Sequence, residues 1–318
     1  MKAVTIVDGE LEWREHPDPV PGSGELLVAV RAAGLNGADM MQRRGLYPAP
    51  PGAPADIPGM ELAGEVVAIG PGVTHFAAGD RVMAIVGGGG QAELAMVHER
   101  VALPVPESVS WAEAGGFPEV FTTAHDALFT QCDLTVGERV LVHGAAGGVG
   151  IAAVQLAARA GARVVGTVRH AELREPVAKI GKECGVVDVV APDEFADHGP
   201  FDIVLELVGA PNIPANLDAL AVGGRIAVIG VGAGAQAELN LLTLMGKRAR
   251  VHGSTLRPRP LEGKADAARA VERCVLPLLA SREVRVPVAA EFPMAAAEAA
   301  YERFAAGAKL GKVVLMNE

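Results

Sequence analysis

The chain is poor in residues that several common kinds of site require. Its three cysteines, Cys132, Cys184 and Cys274, stand far apart among 318 residues, with no Cys-x-x-Cys pair. That spacing excludes a disulfide framework and a zinc ribbon, and leaves buried free thiols in a reducing cytoplasm as the expectation. Aromatic residues make up 4% of the chain, too few for a surface that stacks nucleic-acid bases. Acids outnumber bases 38 to 28, and a net charge of −10 opposes binding to nucleic acid or an anionic membrane. The early acid Asp8 interrupts any signal-peptide core. The longest uncharged stretch, Val140 to Ala158, has the length of a bilayer span. It contains His143, Gln155 and four glycines, so another explanation is needed.

Glycine, at 39 residues, is abundant, and half the chain is apolar, as expected of a folded protein with many tight turns. Gly/Pro punctuation divides the first 110 or so residues into short strands: Lys2–Val7, Glu25–Ala33, Glu65–Ile69, Asp80–Val86 and Glu93–Val97. From about Trp111, strands and helices alternate. Strands are expected at Arg139–His143, Arg163–Val168, Val187–Val190, Phe201–Leu207 and Arg225–Gly230, with helices at Val149–Ala160 and Glu172–Glu183. This alternation predicts βαβ units and a buried parallel sheet, so the fold class is α/β. After Leu256 come a helix (Lys264–Ala280), an extended piece (Val284–Val288), a helix (Ala295–Ala305) and a strand (Lys312–Leu315). This tail is too short for a domain and is expected to pack onto the first one.

The segment Val140–Gly150 follows a strand and opens a helix, as a dinucleotide-binding turn requires. Ala145, Gly147 and Gly150 occupy the three positions of a G-x-G-x-x-G pattern, with alanine a departure at the first. The amides of Gly148, Val149 and Gly150 at the helix start are the expected phosphate site. The second strand ends in Arg169-His170, with Arg174 a turn later, where a site for NAD offers an acid. Guanidinium groups suit a 2′-phosphate, so these residues point to NADPH, the alternative being solvated surface arginines. Gly230, closing its strand, joins the cofactor-binding candidates.

Further motifs extend along almost the whole chain. They include Gly34-Leu35-Asn36-Gly37-Ala38-Asp39, Arg43-Arg44-Gly45-Leu46-Tyr47-Pro48, Pro58-Gly59-Met60-Glu61 and Gly79-Asp80-Arg81-Val82. Pro118-Glu119-Val120-Phe121-Thr122-Thr123-Ala124, Gly253-Ser254-Thr255-Leu256-Arg257 and Gly311-Lys312-Val313-Val314-Leu315 complete the set. Together they resemble the zinc-independent quinone oxidoreductase branch of the medium-chain dehydrogenase/reductase superfamily, nearest the subgroup that includes the p53-inducible quinone oxidoreductase. The resemblance implies a GroES-like catalytic domain (1–118 and 256–318), a Rossmann domain (119–255) and a homodimer. Zinc-dependent relatives carry Gly-His-Glu where this chain has Gly59-Met60-Glu61. Thioether sulfur is a poor ligand for Zn²⁺, so no metal is expected.

The resemblance also implies hydride transfer from NADPH to quinones or carbonyl-conjugated alkenes. It places Asn36 at the nicotinamide ribose and substrate carbonyl edge, although Asn36 also reads as the N-cap of a short helix. Tyr47 is the candidate hydrogen-bond donor to a quinone oxygen, or else covers a core edge. Thr123 matches the family threonine facing the nicotinamide, or is a helix-start hydroxyl. Lys312 is placed by the pyrophosphate, or ends a strand in solvent. Gln91 stands where relatives often have an aromatic residue, while His125 and His143 read as structural. Reduction of enoyl thioesters or alkenals, and NADPH binding without catalysis, remain the other readings.

Overall fold

The structure, a computed structural model, describes residues 1–317. Strands β1 (Lys2–Val7) and β2 (Glu10–Glu15) form an antiparallel hairpin. β3 (Glu25–Gly34) leads through Asn36 into α1 (Gly37–Arg43). A loop rich in proline then reaches β4 (Glu61–Ile69), β5 (Arg81–Ile85), β6 (Leu94–His98) and β7 (Ala102–Pro104). Helix α2 (Trp111–Gly115) precedes α3 (Pro118–His125), which runs into a π-helical turn at Asp126–Gln131. Next come β8 (Arg139–Val142), α4 (Gly148–Arg159), β9 (Arg163–Thr167), α5 (Ala171–Lys182), β10 (Val186–Val190) and β11 (Phe201–Glu206). They are followed by α6 (Ile213–Ala219), β12 (Leu220–Val228), α7 (Leu241–Lys247) and β13 (Arg250–Gly253). The tail holds α8 (Leu261–Cys274), α9 (Leu276–Ala280), β14 (Val288–Pro293), α10 (Ala297–Ala305) and β15 (Lys312–Met316).

Two compact units result. The first comprises Met1–Thr122, Leu256–Gly307 and the chain from Lys312; the second comprises Thr123–Thr255 and Ala308–Gly311. The division thus falls at Thr122, inside α3, rather than at 118. Gly311 goes with the second unit because its amide bonds the Ala146 carbonyl.

In the first unit a sheet runs β14-β15-β3-β4-β5-β7, with β6 also on β3. The tail completes it, since β15 pairs antiparallel with the end of β3 and brings Val314 opposite Gly34. Alternate residues of β3, Leu26, Val28 and Val30, face the core with Leu62, Val66, Val82 and the tail residue Tyr301. The period of two in burial is what a half-covered sheet demands.

The second unit holds six parallel strands in the order β10-β9-β8-β11-β12-β13. This is the doubly wound arrangement, whose strand order reverses between β8 and β11, where such sheets bind ligands at their carboxyl ends. Leu141, Val165, Val204 and Ile226 pack its core. Helix α4 is buried along most of its length, and its alanines let it approach the sheet closely.

Several local features differ from expectation. The helix expected over Lys264–Ala280 breaks at Val275, because Pro277 lacks an N–H and its ring blocks the preceding turn. Val284 and Val286 are buried, but the strand begins only at Val288. Of the thiols, only Cys132 is buried; Cys184 is intermediate and Cys274 exposed. Among the described residues no helix is long and apolar enough to cross a membrane.

Candidate active site

The glycine-rich turn lies between β8 and α4. Gly144 has a positive φ, and the Ala145 amide bonds the Thr167 carbonyl of β9 at 3.0 Å. Gly147 caps α4, leaving the first-turn amides of Gly148, Val149 and Gly150 without acceptors inside the helix. A Cβ on Gly150 would overlap the Gly144 carbonyl oxygen, so the turn needs glycine there. Alanine at the first position also has an explanation. Its methyl lies where a Cβ on Gly166 would come within 2.8 Å, so glycine on β9 makes the room.

Around this turn, the exposed Arg169 makes one side-chain hydrogen bond among the described residues, Nη2 to His170 Nε2 at 3.3 Å. Arg174 is half-buried and its Nε donates to the Val168 carbonyl. At Gly230, a Cβ would overlap the Leu207 carbonyl oxygen. Bare backbone, open helix amides and an exposed guanidinium suit a dinucleotide carrying an extra phosphate.

Beneath the turn lies a network that sequence reasoning missed. His143 directly follows β8, with Nδ1 3.0 Å from Thr167 Oγ1 and Nε2 2.7 Å from Asn216 Oδ1. Asn216 Nδ2 donates to Glu206 Oε2 at 2.7 Å, and Glu206 Oε1 accepts from the amides of Val208 and Gly209. All four side chains are buried. Burial lowers the His143 pKa, with Glu206 and Asn216 opposing, so the ring is neutral at pH 7.

The first unit holds a second buried cluster. Asn36 caps α1 only through its backbone, whose amide donates to Asp39 Oδ2 at 2.8 Å. Its side chain turns elsewhere: Nδ2 donates to Glu61 Oε1 at 2.9 Å and more weakly to the Gly34 carbonyl, while Oδ1 accepts from Lys312 Nζ at 2.7 Å. Lys312 Nζ also lies 2.6 Å from Glu61 Oε1, and the Glu61 carboxylate accepts from the Glu119 amide near the start of α3. Lys312, at 3% exposure, is therefore not a solvated strand end. It is the counterion of Glu61. Asp39 accepts also from the Gly59 amide, and burial raises its carboxyl pKa to about 6. Glu61, a lone acid opening the apolar run Glu61-Leu62-Ala63, was the one available signal of a buried charge in need of a partner.

Tyr47 is half-buried, and its hydroxyl makes no hydrogen bond among the described residues. Burial raises the phenol pKa, with Arg257 acting in the opposite direction. Thr123 is buried in the interior of α3, not at its start. Gln91 is core rather than lining, since it is buried and its Oε1 accepts from the Tyr301 hydroxyl.

A six-stranded parallel-sheet unit and a β-rich unit with this polar cluster are the two parts of a medium-chain dehydrogenase/reductase superfamily chain. Residues 22–107 match the alcohol dehydrogenase GroES-like domain, and residues 148–273 match the zinc-binding dehydrogenase family. The chain belongs to the quinone oxidoreductase family within that superfamily. It is 31% identical over 307 residues to quinone oxidoreductase of Rattus norvegicus, covering 94% of this chain and 91% of that protein. It is 31% identical to acryloyl-coenzyme A reductase of Metallosphaera sedula, covering 99% of each. The solved quinone oxidoreductase of Thermus thermophilus, also determined in complex with NADPH, superposes with a TM-score of 0.84 at 34% identity, covering both chains fully. The chain also matches two Streptomyces polyketide synthases, of which it spans only 6% and 4%.

Proposed function

We propose that this chain is an NADPH-dependent reductase of quinones or carbonyl-conjugated alkenes that works without a metal. The observation that carries the reading is the exposed Arg169 guanidinium at the end of β9, where a site for NAD would offer an acid. Reduced nicotinamide, when bound, supplies the hydride. The helix start at Gly148–Gly150 holds the phosphates, and Arg169, with Arg174 close by in sequence, takes the 2′-phosphate. Tyr47 donates its free O–H to the substrate oxygen as negative charge develops there. Asn36 is held in one orientation by Lys312 and Glu61. Its weaker Nδ2–H bond, to the Gly34 carbonyl at 3.3 Å, is the one it can exchange for a ligand. Such acceptors already have electrophilic carbons, so positioning and hydrogen bonding carry the catalysis.

Reduction of enoyl thioesters is the second reading, favoured by the end-to-end match with the Metallosphaera enzyme. A homodimer accords with the edge strand β13 and with the exposed Leu242 and Met245 of α7, apolar surface on one unit. NADPH oxidation followed with 9,10-phenanthrenequinone, 1,4-benzoquinone and a trans-2-enoyl thioester separates the two substrate readings. The cofactor is tested by Arg169→Ala. Loss of a charge-assisted bond weakens NADPH about 10- to 150-fold, and NADH about two-fold, in fluorescence titrations at one salt concentration. Equal weakening of both would mean that Arg169 stacks on adenine, and wild-type preference for NADH would remove the NADPH assignment.

A further inference from the structure

Arg257 is the first residue but one after the chain re-enters the first unit, and its side chain is 2% exposed. Its guanidinium joins three segments distant in sequence. Nε donates to the Gly87 carbonyl at 2.8 Å, Nη1 to the Tyr47 carbonyl at 3.1 Å and Nη2 to Gln42 Oε1 at 2.6 Å. The guanidinium carbon also stands 5.1 Å from the centre of the Tyr47 ring, within range for a cation–π contact. Gln42, so held, passes the restraint on, since its Nε2 donates to the Ala55 carbonyl at 3.1 Å. The proline-rich loop is thus tied at both ends, at Tyr47 and at Ala55, to one guanidinium–carboxamide pair. Its middle rests on the glycine tract: a Cβ on Gly87 would come within 2.9 Å of Ala53 and 3.0 Å of Pro50.

A buried guanidinium bonded only to uncharged oxygens is costly, and a loop anchor alone does not call for one. Burial lowers the pKa of Arg257, opposed by the charges of Asp39, Tyr47 and Glu119. The planar fork satisfies three acceptors at once, which a lysine ammonium on a flexible stem cannot do in the same geometry. Its position over the Tyr47 ring also places positive charge beside the phenol, favouring donation of the O–H.

We propose that Arg257 is a positioning residue for Tyr47, fixing the loop that presents the phenol to the substrate oxygen. This rests on the reading of Tyr47 as the hydrogen-bond donor. The consequence is coupling. Arg257 matters to turnover only while Tyr47 has a hydroxyl to place.

The test is a double-mutant cycle on the full chain, with kcat and KM for 9,10-phenanthrenequinone and dissociation constants for NADPH. Tyr47→Phe is expected to lower kcat/KM about 10- to 100-fold, the range for losing one donor to a developing oxyanion. Arg257→Lys is expected to lower it about 10-fold, with NADPH affinity kept within about two-fold. In the Tyr47→Phe background, Arg257→Lys should then cost nothing further. Gln42→Leu, which opens one arm of the clamp and keeps the guanidinium, should give a smaller loss that also vanishes in that background. It decides the matter if the arginine variants do not fold. Additive losses overturn the proposal and leave the Tyr47 reading standing, as does an Arg257→Lys enzyme of wild-type activity beside a slowed Tyr47→Phe. An unchanged Tyr47→Phe enzyme removes the Tyr47 reading and, with it, this proposal.

Discussion

Each unit buries a carboxylate within a cluster of polar side chains, Glu61 in the first and Glu206 in the second, and the two are stabilised by different means. In the first unit, Glu61 is compensated by a full opposite charge, Lys312, and Asp39 stands beside them as a second acid. In the second unit, Glu206 has no cation of that kind among the described residues. Its oxygens are occupied by the amides of Val208 and Gly209 and by the carboxamides of Asn212 and Asn216, while His143 remains neutral. One cluster balances charge against charge; the other saturates a single charge with neutral donors. The difference teaches where each is fragile. Removing a cation strands a buried carboxylate, whereas removing one of four neutral donors leaves the others in place.

The largest expected effect follows directly. Lys312→Met should destabilise the first unit by about 3–5 kcal/mol, because Glu61 is left charged and buried. Both tryptophans, Trp13 and Trp111, belong to that unit, so tryptophan fluorescence during urea unfolding reads it selectively. A loss below about 1 kcal/mol would show that the pair is not closed in solution and would collapse the contrast between the clusters.

Acid should separate the clusters by sign. The Asp39 pKa is raised from 3.8 to about 6, so the folded chain takes up a proton in that range before the unfolded chain does. Its charged form costs stability at pH 7, and that cost is relieved as pH falls from 6 towards 3.8, by up to about 3 kcal/mol. Asp39→Asn should therefore lose ground to wild type on acidification, read by the same fluorescence. His143 does the reverse. Its folded pKa lies below 6.5, so the unfolded chain protonates first and stability is lost as pH falls below 6.5. His143→Gln should flatten that loss, seen as hydrogen exchange in the second unit. Slopes of the same sign would break the comparison.

Much of the second unit was legible because its signals are local. A strand, a glycine turn and an alanine-rich helix follow one another between Arg139 and Arg159, and Gly166 accounts for the one irregular position. In contrast, β13 and α7 were not expected, since Arg250–Gly253 offers a mixed, largely exposed pattern and α7 buries no residue. The candidate site was legible only in part, because its pairings are long-range. Lys312 reads as the start of a strand, and nothing near it announces Glu61; Arg257 likewise lies 210 residues from Tyr47. His143 had no acid at a local spacing because its carboxylate sits at the end of another strand, bridged by Asn216 from α6. Periodicity reports which face of an element is buried. It carries no information on which buried charge meets which.

The smallest expected effect is none, and it concerns metal. Chelators should leave quinone reduction unchanged, and elemental analysis should find zinc well below one per chain. Met60 is buried beside Gly59 and Glu61, and its thioether binds Zn²⁺ poorly beside the thiolate and imidazole ligands such sites use. Glu61 is committed to Lys312, Asn36 and the Glu119 amide, and is not free to ligate. Cys132 is the buried thiol, and burial raises its pKa to about 11, which disfavours the thiolate a metal needs. Among the described residues no group of three or more His, Cys, Asp or Glu side chains is arranged to hold an ion. One zinc per chain, with activity lost on chelation and restored by Zn²⁺, would turn the first cluster from an internally balanced ion pair into part of a metal centre. The contrast between the two units would then have to be drawn again.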